Sequence, residues 1–101
     1  MRMLMNITFP SEPFNSAVRD GGAGPLIGKI LQQIKPEAAY FTEIGGDRGA
    51  VLVVDVKDAS AIPALAEPWY LNFDAEVEFR VAMTPDDLAR ANLAALGKDW
   101  G

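Results

Sequence analysis

Three features of this sequence predict an α+β fold of the order β-α-β-β-α-β. Four short segments alternate apolar and polar residues with a period of two, the segments between them carry apolar residues at helical spacing, and Gly- or Pro-containing punctuation separates the two kinds. No linker or shift of composition divides the 101 residues, so residues 1–101 read as one domain.

The first strand spans Arg2 to Phe9, with Met3, Met5, Ile7 and Phe9 on one side and Leu4, Asn6 and Thr8 on the other. Pro10-Ser11-Glu12-Pro13 stops it and opens a helix, Ser11 being placed to cap and Pro13 suiting the first turn. Phe14 and Val18 begin an apolar stripe, Asp20-Gly21-Gly22-Ala23-Gly24-Pro25 interrupts or loosens it, and Leu26, Ile27, Ile30, Leu31 and Ile34 resume it as far as Lys35-Pro36. Two strands follow, Ala38 to Ile44 and Ala50 to Val56, joined as a hairpin through Gly45-Gly46-Asp47-Arg48-Gly49. The second is apolar on both faces except for Asp55, as a central strand should be.

Asp58 or Ser60 caps the next helix, which carries Ile62, Leu65 and Ala66 up to Glu67-Pro68, with Trp69 to Phe73 adding an irregular turn. The fourth strand covers Glu76 to Met83, with Val77, Phe79, Val81 and Met83 on one side and Glu76, Glu78 and Arg80 on the other. Thr84-Pro85-Asp86-Asp87 then starts a helix through Leu88, Ala91, Ala95 and Leu96 to Gly97, with Thr84 capping and acids at the positive end of the dipole. Right-handed split βαβ units arrange the antiparallel strands 4-1-3-2 with the two main helices on one face, the ferredoxin-like topology plus a C-terminal helix. The other sheet face is left bare.

Composition narrows the function classes. Counting Gly and setting Tyr aside, about 57% of residues are apolar, against a usual ~45–50% for that set, and a subunit interface accommodates such an excess. The net charge of −5 and the scattered basic residues speak against nucleic acid and anionic membrane surfaces. No apolar run approaches a transmembrane length, and Met1 to Asn6 lacks a signal-peptide core, which makes the cytoplasm the expected compartment. The absence of cysteine fits that setting. Histidine is absent too, so the usual ligands for zinc, copper, haem and iron–sulfur centres are missing, and no EF-hand spacing is present. Neither a metal site nor a cofactor is expected. Ser-His and Cys-His nucleophilic catalysis are excluded, and any acid–base work falls to Asp, Glu, Lys or Tyr.

Several stretches carry a resemblance: Pro13-Phe14-Asn15, Lys35-Pro36-Glu37-Ala38-Ala39-Tyr40-Phe41, Gly46-Asp47-Arg48-Gly49, Ala66-Glu67-Pro68-Trp69, and Glu78 through Leu88. Through them the chain resembles the dimeric α/β-barrel superfamily and, more narrowly, a group of short bacterial proteins of unassigned function. The resemblance implies two ferredoxin-like subunits packed sheet against sheet, an architecture rather than a reaction. Relatives of that architecture include cofactor-free monooxygenases, haem degraders, muconolactone isomerases and YCII-like proteins. The haem degraders and the YCII-like proteins depend on histidine, which this chain lacks.

The main candidate site is the polar face of the sheet. Asn6 and Thr8 share it with Glu76, Glu78 and Arg80; Tyr40 and Thr42, or alternatively Phe41 and Glu43, join them according to hairpin register, and Asp55 is a further member. Inside a barrel, Glu78 or Asp55 would be the base, Tyr40 a donor, and Arg80 the anchor of an anionic ligand, with Asn6 and Thr8 as polar contacts. The competing reading makes Glu78 and Arg80 a surface ion pair. Trp69, in an aromatic run from Trp69 to Phe73, either walls a ligand pocket or packs in the core. The glycines before Leu26 lack the P-loop Lys and read as helix punctuation, Gly46 to Gly49 reads as hairpin chemistry with Arg48 able to reach a partner subunit, and Trp100 reads as an interface anchor or a frayed end. Two functions follow: a homo-oligomer binding a small organic ligand in its interior, with cofactor-free oxidation or isomerisation as a catalytic variant, or a non-catalytic structural oligomer. The sequence leaves open whether the protein is an enzyme.

Overall fold

A computed structural model of the chain describes all residues from Met1 to Gly101. Strand β1 (Arg2–Phe9) leads to helices α1 (Ser11–Asp20) and α2 (Ala23–Ile34), then to the hairpin β2 (Ala38–Ile44) and β3 (Asp47–Asp55). A 3-10 turn (Ala59–Ala61) enters α3 (Ile62–Phe73), followed by β4 (Glu76–Val81), α4 (Pro85–Ala91) and α5 (Leu93–Trp100). The four strands form one antiparallel sheet in the order β2-β3-β1-β4, the arrangement expected from the handedness of the two crossovers. No helix is long and apolar enough to cross a membrane.

Alternation along the strands decides the core. Met3, Met5, Ile7 and Phe9 of β1 and Ala50, Leu52 and Val54 of β3 are buried against Phe14, Ala23, Ile30, Trp69 and Phe73 of the three helices. Phe9 is the hub, with ring centroids 5.1 Å from Phe14, 5.3 Å from Phe73 and 5.8 Å from Trp69, all edge-to-face. No polar or charged side chain is fully buried.

Several local expectations are corrected. Ser11 does not cap α1: Glu12 is extended (φ −114°, ψ 142°), and its carboxylate accepts from the Ser16 N–H at 3.2 Å and the Ser16 hydroxyl at 2.7 Å. The glycine-rich break ends α1 outright, because Gly21 adopts φ +81°, its N–H donates to the Val18 carbonyl and the Gly22 N–H donates to the Ala17 carbonyl. The hairpin turn is only Gly45-Gly46, both at positive φ, so β3 begins at Asp47 rather than Ala50. Residues Trp69 to Phe73 are regular helix, continuing α3 past Pro68, since burying Trp69 and Phe73 on one face outweighs the missing N–H. The C-terminal helix breaks at Asn92 (φ +55°), whose side chain caps α5 by accepting from the Ala95 N–H.

Candidate functional site

The uncovered sheet face is built from three cross-strand rows. Tyr40, Val51, Asn6 and Glu78 stand opposite one another in the first, Ala38, Val53, Leu4 and Arg80 in the second, and Thr42, Gly49, Thr8 and Glu76 in the third. The pairing therefore selects Tyr40 and Thr42 for this face, and sends Phe41 and Glu43 to the helix side. Asn6, Thr8, Glu78 and Arg80 share this face, and Tyr40 joins them. Their setting is a half-apolar sheet centre of Leu4, Val51 and Val53, with Glu76, Glu78 and Arg80 along the β4 edge and Arg2 and Asp55 paired across one end.

Two of the expected site residues lie elsewhere in role or place. Trp69 is fully buried under the helices, on the far side of the sheet from Arg80, where it packs against Phe9 and Phe73. Its indole N–H has no partner there. Asp55 sits at the end of the bare face and accepts a hydrogen bond from the Met1 ammonium at 3.0 Å. That bond and the attraction of the ammonium hold its carboxyl below the ordinary aspartate range, so it stays ionised and is poorly suited to accept a proton at neutral pH. Glu78 and Arg80 face solvent and approach each other at 3.4 Å, a loose ion pair. Arg48 turns back onto its own chain, donating to Asn15 Oδ1 at 2.7 Å and lying 4.5 Å over the Phe14 ring.

A polar cleft that sequence reasoning did not identify opens where β1 and β3 meet the start of α4. It has a volume of about 440 Å³ and is lined by Met1, Arg2, Glu37 and Asp55 on the sheet side and by Thr84, Asp86, Asp87 and Arg90 on the helix side. Its charges are largely paired: Arg2 donates to Glu37 at 2.9 Å, Met1 to Asp55, and Arg90 to Asp87. The Glu37 hydrogen bond raises the Arg2 pKa further. At Asp87, hydrogen bonds from the Thr84 N–H and the reciprocal capping box lower the carboxyl pKa. Only pairing between residues some 35 to 54 positions apart assembles the sheet side of this cleft, which is why no local motif announces it. No group of three or more acidic side chains converges as a metal site would require. None of the five principal surface clefts is lined by Glu78 or Arg80 in the single chain.

No family model matches this chain, and no curated protein matches it in sequence.

Proposed function

We propose that this chain works as a cytoplasmic homo-oligomer in which two sheets pack face to face as a dimeric α/β barrel, with the polar residues of that face holding a small organic anion or aromatic. One observation carries the reading: the register sets Asn6, Thr8, Tyr40, Glu78 and Arg80 on a single sheet face that no helix of the same chain covers. A second copy turns an open surface into an enclosed one. Inside it the Arg80 guanidinium pairs with a carboxylate or phenolate in a fork geometry, while Asn6, Thr8 and Tyr40 supply neutral hydrogen bonds. The apolar centre of Leu4, Val51 and Val53 accommodates the carbon skeleton.

A non-catalytic oligomer is the second reading, favoured by the pairing of Glu78 with Arg80 and of Asp55 with Met1. A cofactor-free oxygenase or isomerase would have to draw its base from Glu78 or Tyr40, since Asp55 is tied to the amino terminus.

The test is a thermal-shift screen of organic acids, quinones, lactones and phenols on the wild type and on Arg80→Ala, with the mass of each followed by light scattering. A ligand at a hundred times its dissociation constant stabilises the fold by about 2.7 kcal/mol, which raises the Tm of a domain this size by roughly 10 °C or more. A dimeric mass with a hit that Arg80→Ala loses supports the ligand reading. A dimeric mass with no hit across the panel supports the structural oligomer, and a monomeric mass overturns both.

A further inference from the structure

The C-terminal segment does not pack on the body that carries it. Helices α4 and α5 contain no buried residue. The molecule measures 60 × 28 × 19 Å with a radius of gyration of 17.1 Å, where a compact chain of this length has about 13 Å. Its accessible surface is 6743 Å², while a compact monomer of the same mass exposes about 5,600 Å². The excess, on the order of 1,000 Å², matches the ~800 Å² that each partner contributes to a stable interface.

This arm is apolar in a patterned way. Leu93, Leu96 and Trp100 recur at i, i+3 and i+7 of α5, the spacing of a helix that lies against another apolar surface. Leu88 joins Leu93 across the Asn92 break in one shallow apolar hollow. Trp100 is 88% exposed. The arm also leaves from the bare side of the sheet, since Thr84, Asp87 and Arg90 share the terminal cleft with Arg2 and Asp55. At the opposite edge of the same sheet, β2 exposes Tyr40 and Phe41.

We propose that the α4–α5 arm of each subunit packs across the β2 edge of a second copy, with Leu93, Leu96 and Trp100 covering the Tyr40 region. The inference rests on the face-to-face reading above and fixes its symmetry. β2 and β4 are the two edges of the sheet. A two-fold axis parallel to the strands therefore sets β4 of each copy over β2 of the other, whereas a two-fold axis across the strands sets β4 over β4. Only the first brings each arm to an exposed β2. It also brings them together at matching ends, because β4 finishes and β2 begins at the same end of the sheet: Arg80 and Ala38 belong to one cross-strand row.

The chain has no cysteine, so single introduced thiols report cleanly. Leu96→Cys chains are mixed with size-tagged Ala38→Cys chains, and the mixture is allowed to exchange and is then oxidised. Both substitutions are small changes at positions outside the buried core. The expected product is a mixed disulfide dimer at least tenfold over either self-linked species, together with Trp100 quenched by acrylamide several-fold less in the dimer than a free indole, taken as wild type minus Trp100→Phe. A dimeric mass with no mixed disulfide and with Trp100 quenched as in water overturns the arm while leaving the sheet-face dimer standing. A monomeric mass overturns both.

Discussion

Val53 offers the sharpest test of whether the bare sheet face is covered. It stands at the centre of that face, between Ala38 and Leu4 in the row that ends at Arg80, and is half-buried in the single chain. Val53→Asp places a carboxylate there. If the face is open, the group is hydrated, and the cost is that of strand propensity, about 1 kcal/mol or less. If a second sheet covers it, an unpaired charge is removed from water at a cost of about 3–5 kcal/mol, and the two-fold axis repeats that cost in the other copy. At 1.4 kcal/mol per tenfold, even one copy's share weakens association between about a hundredfold and a few thousandfold. Sedimentation or light scattering from 1 to about 100 μM reads this as a dimer becoming a monomer, while urea melts of the monomer show that the fold survives. Val53→Thr, nearly isosteric and uncharged, should stay dimeric. A Val53→Asp protein with the wild-type mass at every concentration would refute the covered face.

Other predictions address the fold and the terminal cleft. Phe9→Ala removes the hub of the aromatic cluster and should cost about 4 kcal/mol, a fall in Tm of roughly 20 °C by calorimetry; a loss under 1 kcal/mol would mean the cluster is not packed as described. A Cβ at Gly49 would lie 2.6 Å from Ile44 Cγ1 and 2.7 Å from Cδ1, so Gly49→Ala should destabilise by about 1–3 kcal/mol. Combining it with Ile44→Ala should erase most of that cost, and equal costs in both backgrounds would exclude the clash as the cause. The Asp87 carboxyl is held below its ordinary value by the Thr84 capping box, so its contribution to α4 is present above the unfolded aspartate pKa and is lost as pH falls through the lower folded value. Protection factors of the α4 amides, taken against the intrinsic exchange rate at each pH, should therefore fall under acid in the wild type and be low already at pH 7 in Asp87→Asn; unchanged protection in that variant would show that the box does not hold the helix.

Strand identity and core-facing residues followed from local alternation. Met3, Met5, Ile7 and Phe9 had to share a side whatever β1 paired with, and the two crossovers then left one strand order open. The candidate face inherits that legibility: Asn6, Thr8, Glu78 and Arg80 fall on it by parity alone. Tyr40 did not, because β2 carries aromatic, polar and apolar residues on both faces, and only the register enforced by the Gly45-Gly46 turn and the Tyr40–Val51 pairing decides between Tyr40 and Phe41. Trp69 belonged to the core for a similarly non-local reason, since continuing α3 past Pro68 was favourable only once Phe9 and Phe14 were present to pack on.

The terminal cleft and the free arm were decided wholly by tertiary structure. Pairing of Met1 with Asp55 and of Arg2 with Glu37 depends on which strands become neighbours. Leu93, Leu96 and Trp100 look in sequence like any helix face awaiting a core, and a hydrophobic period states that a face will be buried without stating against what. The alternation of the strands, the helical stripes and the absence of histidine and cysteine chemistry are legible without any fold, because each is a property of residue type and spacing. Partnership, for β2 and for Asp55, is a contact between distant parts of a chain, and that is settled only when the whole sheet has formed.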